Sequence, residues 1–591
     1  MWCPAQTTFD EAEPGAVFVA ARWHELFDEY TPDTFHPKLF NLSGLAAEAT
    51  MIGELHEDHD AWMKHLKHVQ AEIAERLEKG IEQSLCFPRQ YRLLEKMSKA
   101  TSATEVLGLG RILNLEDFQG HLESGVRRKF ENFDLASAER KKKEADDIIT
   151  CFATYAFRKG CGAEDIQSVE AELKQGSEGV RRWVLAALPE EQVEYDCILA
   201  IRQEDVDTEG AVRSVFTHLD VKRASPKIRG LPDEEGIIYF RGKSKGWRAS
   251  DAIEGIRKGI RSSLNSLALY RQRAAPELLD QSWIVEGTGA REVPLRSPSF
   301  ANLHPRRNAD SLAKKAVEAI EERSEKDQVI LAALDLHNVA LSMTDHRLRL
   351  VNLWSALECL ASLVEEGSII SRVVNIVCSI LTWRKPEKVA RYLAISIYHW
   401  LKANPEMKQM SRPFPVSLNY SVPAEYILAL LSEPKDSEGI RSLLNLVSKH
   451  PLLLFRVHRA WEFFNNPAGL EAGLRASSKR LEWHLWRIYR ARNLLVHKGV
   501  EPECLPQLSN HLQQYLSWTL SRLIHGLTFG ECWTTRDSLN FWRAKSDHLM
   551  HSLIKHPELL TPADVFAEKV MNPETRIYAG AENSHGLTAL S

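Results

Sequence analysis

The chain contains three Arg-x4-His pairs: Arg213/His218, Arg492/His497 and Arg543/His548. An arginine and a histidine held together can cleave RNA without a metal, because RNA carries its own nucleophile, the 2′-OH. The histidine exchanges protons with the reacting oxygens, and the guanidinium meets the charge that develops on the phosphorane. The products of such a reaction are a 2′,3′-cyclic phosphate and a 5′-hydroxyl. The spacing alone is a weak signal, since short pairs arise by chance. Arg213/His218 falls in a segment, Val212–Leu219, that reads as a strand. Arg543/His548 has no Asn after the Arg and no matching helix upstream. Only Arg492 is followed by Asn, at Asn493.

The elements around Arg492 are those such a site needs. Leu481, Leu485, Ile488 and Leu495 recur at spacings of 4, 3 and 7, one apolar stripe of a helix. Arg492 occupies a slot in that stripe, where an unpaired guanidinium carries a large desolvation cost. Asn493 and His497 are an i,i+4 pair on a neighbouring face. Gly499 should end the helix. His497 then lies in the last turn, where the dipole favours imidazolium. Upstream, Val351–Val364 shows the complementary feature: Val351, Trp354 and Ala361 mark a face that also bears Glu358. The two helices are expected to pack with Glu358 and Arg492 in or near hydrogen-bonding contact. A structural buried ion pair in a helical bundle explains these residues as well as a catalytic site does.

Leu350-Val351-Asn352-Leu353-Trp354-Ser355-Ala356-Leu357-Glu358-Cys359-Leu360 resembles the early helix of ApeA-like HEPN domains. Ile488-Tyr489-Arg490-Ala491-Arg492-Asn493-Leu494-Leu495-Val496-His497-Lys498-Gly499 resembles their signature helix. The resemblance covers roughly residues 327–530. It implies a helical bundle that forms a homodimer or a higher even oligomer, with a composite cleft between two signature helices. It further implies a metal-independent endoribonuclease, acting on host or phage RNA such as tRNA, in bacterial anti-phage defence. Arg492 and His497 would be catalytic, Asn493 supporting and Glu358 a polar partner. No cofactor is implied. A phage-derived trigger would act through the N-terminal part. A non-catalytic HEPN module that binds RNA or assembles, and a helical interaction scaffold, are the competing readings.

The chain that must position these residues is expected to be mainly α and multi-domain: a helical region over 1–188, a small α+β domain over 189–300, the HEPN bundle over 311–570 and a flexible tail over 571–591. Glu48–Gln83 and Leu115–Arg158 read as helical runs. Val193–Ile201, Ile237–Arg241 and Ser282–Glu286 read as strands, Ala252–Tyr270 as a helix and Gly287–Asp310 as a linker. With 26% charged residues, 44% apolar residues and a net charge of −5, the whole chain is not a basic nucleic-acid coat, although a basic patch can be local. Nine scattered cysteines without a CxxC motif fit reduced thiols rather than a disulfide framework. The N-terminus lacks the features of a signal peptide and no long apolar run is present, so a cytoplasmic protein without membrane contact is expected. His56, His59, His65 and His68 lie beside many acids and read as a solvated helix face rather than as metal ligands. The charged run Glu139–Asp147 reads the same way. Gly108-Leu109-Gly110 does not continue into a nucleotide-binding loop.

Overall fold

The computed structural model describes residues 13–27, 40–55, 59–159, 161, 166, 170–202, 222–223, 228–232, 234, 236–271, 277–293, 314, 318, 328–343, 345–404, 424–502, 504–529, 532 and 534–555. The expected strand Val212–Leu219, most of the expected linker and the expected tail lie outside these residues. The protein is mainly helical, with one small antiparallel sheet. Two compact units result: one joins residues 1–155, 168–184 and 304–591, the other holds residues 156–167 and 185–303. Among the described residues no helix is long and apolar enough to cross a membrane.

The smaller unit contains β1 (Val193–Arg202), β2 (Lys222–Arg223), β3 (Ile237–Gly246), β4 (Leu278–Glu286) and β5 (Gly289–Glu292), in the order β2-β3-β1-β4-β5. The β5 residues had been read as linker. They pair instead with β4 through the turn at Gly287, whose φ is +61°. Strand β1 runs centrally between β3 and β4, and side chains pack on both its faces. Cys197, Leu199 and Ile201 pack with the sheet helix Ala249–Arg271, while Ile198 and Ala200 join Tyr239 and Trp283 on the other face. A strand buried on both faces is written as a continuous apolar run rather than an alternation.

In the larger unit the N-terminal helices are α1 (Pro14–Phe27), α2 (Leu42–Glu54), α3 (His59–Lys79), α4 (Pro88–Met97), α5 (Ala103–Leu113), α6 (Leu115–Glu131), α7 (Lys142–Arg158), α8 (Glu170–Leu173) and α9 (Gly176–Ala186). The sheet helix is α10. The run expected from Glu48 to Gln83 is therefore two helices and a 3-10 turn at Ile81–Leu85, and Pro88 opens the next helix at its first turn, where a missing N–H costs nothing. Gly110 has a packing role: α5 crosses α2 so closely that a Cβ at Gly110 would fall on the Thr50 side chain.

The C-terminal helices are α11 (Gln328–Ser342), α12 (His346–Ala361), α13 (Ile369–Ala403), α14 (Ala424–Leu431), α15 (Glu438–Leu446), α16 (Pro451–Phe464), α17 (Pro467–Asn493), α18 (Leu505–Phe529) and α19 (Thr535–Lys555). The long helices α13 and α17 each serve two cores. One core gathers α11, α12, α18 and the second half of α17 around Trp354, Leu485 and Leu516. The other gathers α14, α15, α16 and the first half of α17 around Trp400, Phe464 and Leu474. N-terminal and C-terminal helices are joined by buried charge. Glu25 of α1, 1% exposed, accepts from Arg22 of its own helix, from Arg456 Nε of α16 at 3.0 Å and from the Tyr392 hydroxyl of α13 at 2.5 Å.

Gly110→Ala is expected to destabilise the protein by about 1–3 kcal/mol, the usual cost of overfilling a close contact. Thr50→Ala in the same chain should recover part of that loss. Urea unfolding of the single and double variants reads both effects.

Candidate functional site

The site is built where α17 ends beside α12. Glu358 Oε2 lies 3.6 Å from Arg492 Nη2. The other carboxylate oxygen, Oε1, accepts from the Trp354 indole N–H at 2.8 Å, one turn earlier on α12. Trp354 is fully buried, so it fixes Glu358 from the core side. Asn493 Oδ1 accepts from Arg492 Nη1 at 3.2 Å. Arg492 and Glu358 are 19% and 26% exposed. Arg492 is thus at the rim of the apolar core and not in its middle, as the stripe had implied. Its Nε is buried and has no hydrogen-bond partner among the described residues.

The expected last α-turn is a π-turn, Leu494–Lys498, closed by Gly499 at φ +64° with its N–H on the Leu494 carbonyl. The reason matters for chemistry. Five residues on an α-helix leave Arg492 and His497 roughly 140° apart around the axis, on different faces. The i→i+5 bonding of a π-turn brings residues five apart back toward one face. His497 is exposed, as are its neighbours Val496 and Lys498, and it makes no hydrogen bond or ion pair among the described residues. Glu358, Arg492 and Asn493 are brought together, and His497 is exposed in the π-turn that follows them.

Sequence reasoning missed the residues behind the site. The most buried cations of α17 are Arg487 and Arg490, 3% and 2% exposed. Glu48 of α2 takes both. Arg487 Nε is 2.9 Å from Oε2, and Arg490 Nη2 is 2.5 Å from Oε1. Glu72 of α3, 1% exposed, accepts from Arg487 Nη2 at 2.7 Å, and the Phe40 ring covers the same guanidinium. Burial opposes the Glu48 charge, but Arg487 and Arg490 outweigh it and hold the carboxyl below its usual range. Arg487 is likewise penalised by burial and raised overall by Glu48 and Glu72. The signal was present: Glu48 sits within Leu45-Ala46-Ala47-Glu48-Ala49, a carboxylate in an apolar helix that requires a cation.

The solvated reading of the histidines is corrected at two positions. His65 is 8% exposed, stacks on Tyr489 at 5.8 Å and meets Trp486 edge-on at 5.0 Å. His68 stacks on Trp486 at 4.6 Å. Burial, with Arg490 nearby, pushes His65 down to about 3 and His68 down to about 4, so both are neutral packing groups. Tyr489 in turn tilts against Trp354 at 5.3 Å. An aromatic series therefore runs from α3 to the residue that holds Glu358. His56 lies outside the described residues, and among those described no three His, Cys, Asp or Glu converge as a metal-holding group. The rival pair Arg543/His548 lies on α19 with no ion pair among the described residues, and Arg213/His218 lies outside them.

Comparison of the chain with family models, curated proteins and solved structures found no match.

Two outcomes follow for stability. Glu48→Gln should cost about 3–5 kcal/mol in urea unfolding, because it strands two buried guanidinium groups. The pH dependence has a definite sign. Histidines whose folded values are depressed bind more protons when unfolded, so stability falls as pH drops from about 6.5 toward 4, by up to about 1.4 kcal/mol per pH unit for each group. The depressed Glu48 carboxyl adds a loss at lower pH still, below its unfolded value. His65→Phe with His68→Phe should flatten the slope between pH 6.5 and 4, measured as urea midpoints across that range.

Proposed function

We propose that this protein is a metal-independent endoribonuclease of the HEPN type. The observation that carries the reading is a half-buried Arg492, held by Glu358 and Asn493, at the start of a π-turn that bears the exposed His497. The contact alone also fits a structural ion pair. An exposed histidine is what a structural pair does not need.

In the proposed reaction His497 takes the proton from the 2′-OH or supplies one to the departing 5′-oxygen. Arg492 donates to a non-bridging phosphate oxygen as charge builds there. Glu358 and Asn493 orient the guanidinium, and Trp354 fixes Glu358. The bond from phosphorus to the 2′-oxygen forms as the bond to the 5′-oxygen breaks, giving the cyclic phosphate and a free 5′-hydroxyl. Val496 and Val500, 47% and 50% exposed, flank His497. They provide an apolar surface for a second copy, so that the cleft is composite and the active form is a homodimer or higher even oligomer. RNA, with tRNA the first candidate, is the substrate; defence against phage, in the cytoplasm and in response to a phage-derived trigger, is the setting.

Purified full-length protein should cleave structured RNA in EDTA. His497→Ala should lower the rate by about 100-fold or more, the usual range for an acid–base group, with little change in melting temperature because the side chain is exposed. Cleavage that chelation abolishes and a divalent ion restores would overturn the mechanism. A wild-type rate in His497→Ala would move the site elsewhere, with Arg543/His548 next. Trp354→Phe keeps the ring packing and loses the N–H to Glu358; it should lower kcat with KM unchanged. Specific activity should fall on dilution in step with dissociation seen by mass photometry. A monomer fully active at nanomolar concentration would contradict the composite cleft.

A further inference from the structure

Helix α4 carries a surface of one sign that the candidate site does not use. Its inner face is closed: Leu94 and Met97 are fully buried, and Tyr91 and Leu93 are half-buried. Its outer face holds Arg89, Arg92 and Lys96 at spacings of three and four, a single stripe that runs about 10 Å along the axis. All three are exposed and make no hydrogen bond or ion pair among the described residues. The carboxylate of α4, Glu95, is taken by Lys99 at 2.7 Å, and Glu105 of α5 accepts from the Thr101 N–H at 3.0 Å. Like charges at helical spacing repel, and this stripe has no carboxylate of its own to offset them.

A second observation, independent of charge, sits at the end of the stripe. Phe87, the residue before α4, is 58% exposed. It is nonetheless held at two points. Its N–H donates to Gln90 Oε1 at 3.0 Å, and its ring stacks on His121 of α6 with centroids 4.1 Å apart and planes at 25°. His121 is fixed in turn by a hydrogen bond between its Nε2 and the Leu85 carbonyl at 2.9 Å. The imidazole covers one face of the ring, so the exposure belongs to the other face and the edge. A flat apolar surface is thus set in place and left in water beside three unengaged cations. An apolar ring gains nothing from water, and a stack on one face presents the other to a second planar group.

We propose that α4 binds single-stranded RNA, with an unpaired base stacked on Phe87 and the phosphates that follow held by Arg89, Arg92 and Lys96. Cations that track a backbone, beside an aromatic ring that takes a base, are the parts from which single-strand sites are built. A duplex keeps its bases stacked and offers no free face to the ring. An anionic membrane fits less well, because a helix lying on lipid exposes its apolar face, and that of α4 is turned into the core. The geometry asks for a polyanion with bases; the choice of RNA rests on the nuclease reading above. The surface uses none of the residues assigned to cleavage and would hold a length of strand away from the cut.

The probe is a fluorescein-labelled oligouridylate of about 12 nucleotides, fully 2′-O-methylated so that its 2′-oxygens cannot attack. Fluorescence anisotropy with the full chain reads its affinity across a range of salt concentrations. The wild type should bind, more weakly as salt rises. Arg89→Gln with Arg92→Gln changes two exposed side chains and should leave the melting temperature near wild type. It should make the plot of log affinity against log salt shallower by about 1.4, from about 0.7 for each lost phosphate contact. Phe87→Leu should weaken binding by about fivefold or more with the salt slope unchanged. Arg543→Gln, on α19, should change neither, and vesicles of phosphatidylcholine with phosphatidylserine should not bind. No binding of the oligonucleotide at about 0.1 mM protein, wild-type affinity and slope in the folded double variant, unchanged affinity in Phe87→Leu, or vesicle binding that the double variant abolishes without any RNA binding would each overturn the proposal. Binding that depends on α4 in a protein that leaves ordinary RNA uncut would support this surface and count against the nuclease. Cutting with an unchanged affinity in the double variant would do the reverse.

Discussion

Glu25, Glu48 and Glu72 of the N-terminal helices are buried, and each meets an arginine of the C-terminal helices. Glu25 is met by Arg456, Glu48 by Arg487 and Arg490, and Glu72 by Arg487. A buried charge without its partner costs several kcal/mol. Neither set of helices can bury these groups alone, so the two fold as one unit although well over a hundred residues separate them. The pairs do not themselves explain high stability, since apolar side chains of similar volume often do as well. What they do is fix register: Glu48 accepts from two arginines three apart on α17, which sets the rotation of that helix.

That rotation matters because α17 ends in the candidate site. With Arg487 and Arg490 turned to α2 and α3, Arg492 turns toward α12 and Glu358. The change from α to π winding then decides where His497 points relative to Arg492. Behind the site, packing of His65 and His68 on Trp486 and Tyr489, and of Tyr489 on Trp354, leaves the N-terminal helices in contact with the positioning residues of the site.

Much of this was legible in the sequence, for a physical reason. A charge within an apolar helical stripe is costly alone, so Glu358 and Arg492 predicted each other, and their side chains lie 3.6 Å apart. The same physics holds for Glu48 and Arg490, but an apolar stripe marks only one buried face of a helix. Over residues 483–488 and at 490 and 491, α17 is buried on all sides, so its charged positions do not mark a solvent face. His65 and His68 were misread for the related reason that neighbouring acids and lysines on α3 made the whole helix look wet. The π-turn left no mark in residue type, since it is a shift in backbone hydrogen bonding; only Gly499 signalled the helix end. The grouping of N-terminal with C-terminal helices was hidden because sequence composition locates linkers but not pairings across hundreds of residues.

We propose that Arg492 and His497 direct attack by the RNA's own 2′-OH. The measurement that bears on it most directly is the chemistry of the cut ends. Wild-type protein incubated with a defined RNA should leave a 2′,3′-cyclic phosphate and a 5′-hydroxyl, and an otherwise identical RNA with a 2′-deoxy residue at the cut site should resist cleavage there. A 3′-hydroxyl with a 5′-phosphate, or undiminished cutting at the 2′-deoxy position, would contradict the account, because water and not the RNA would then be the nucleophile.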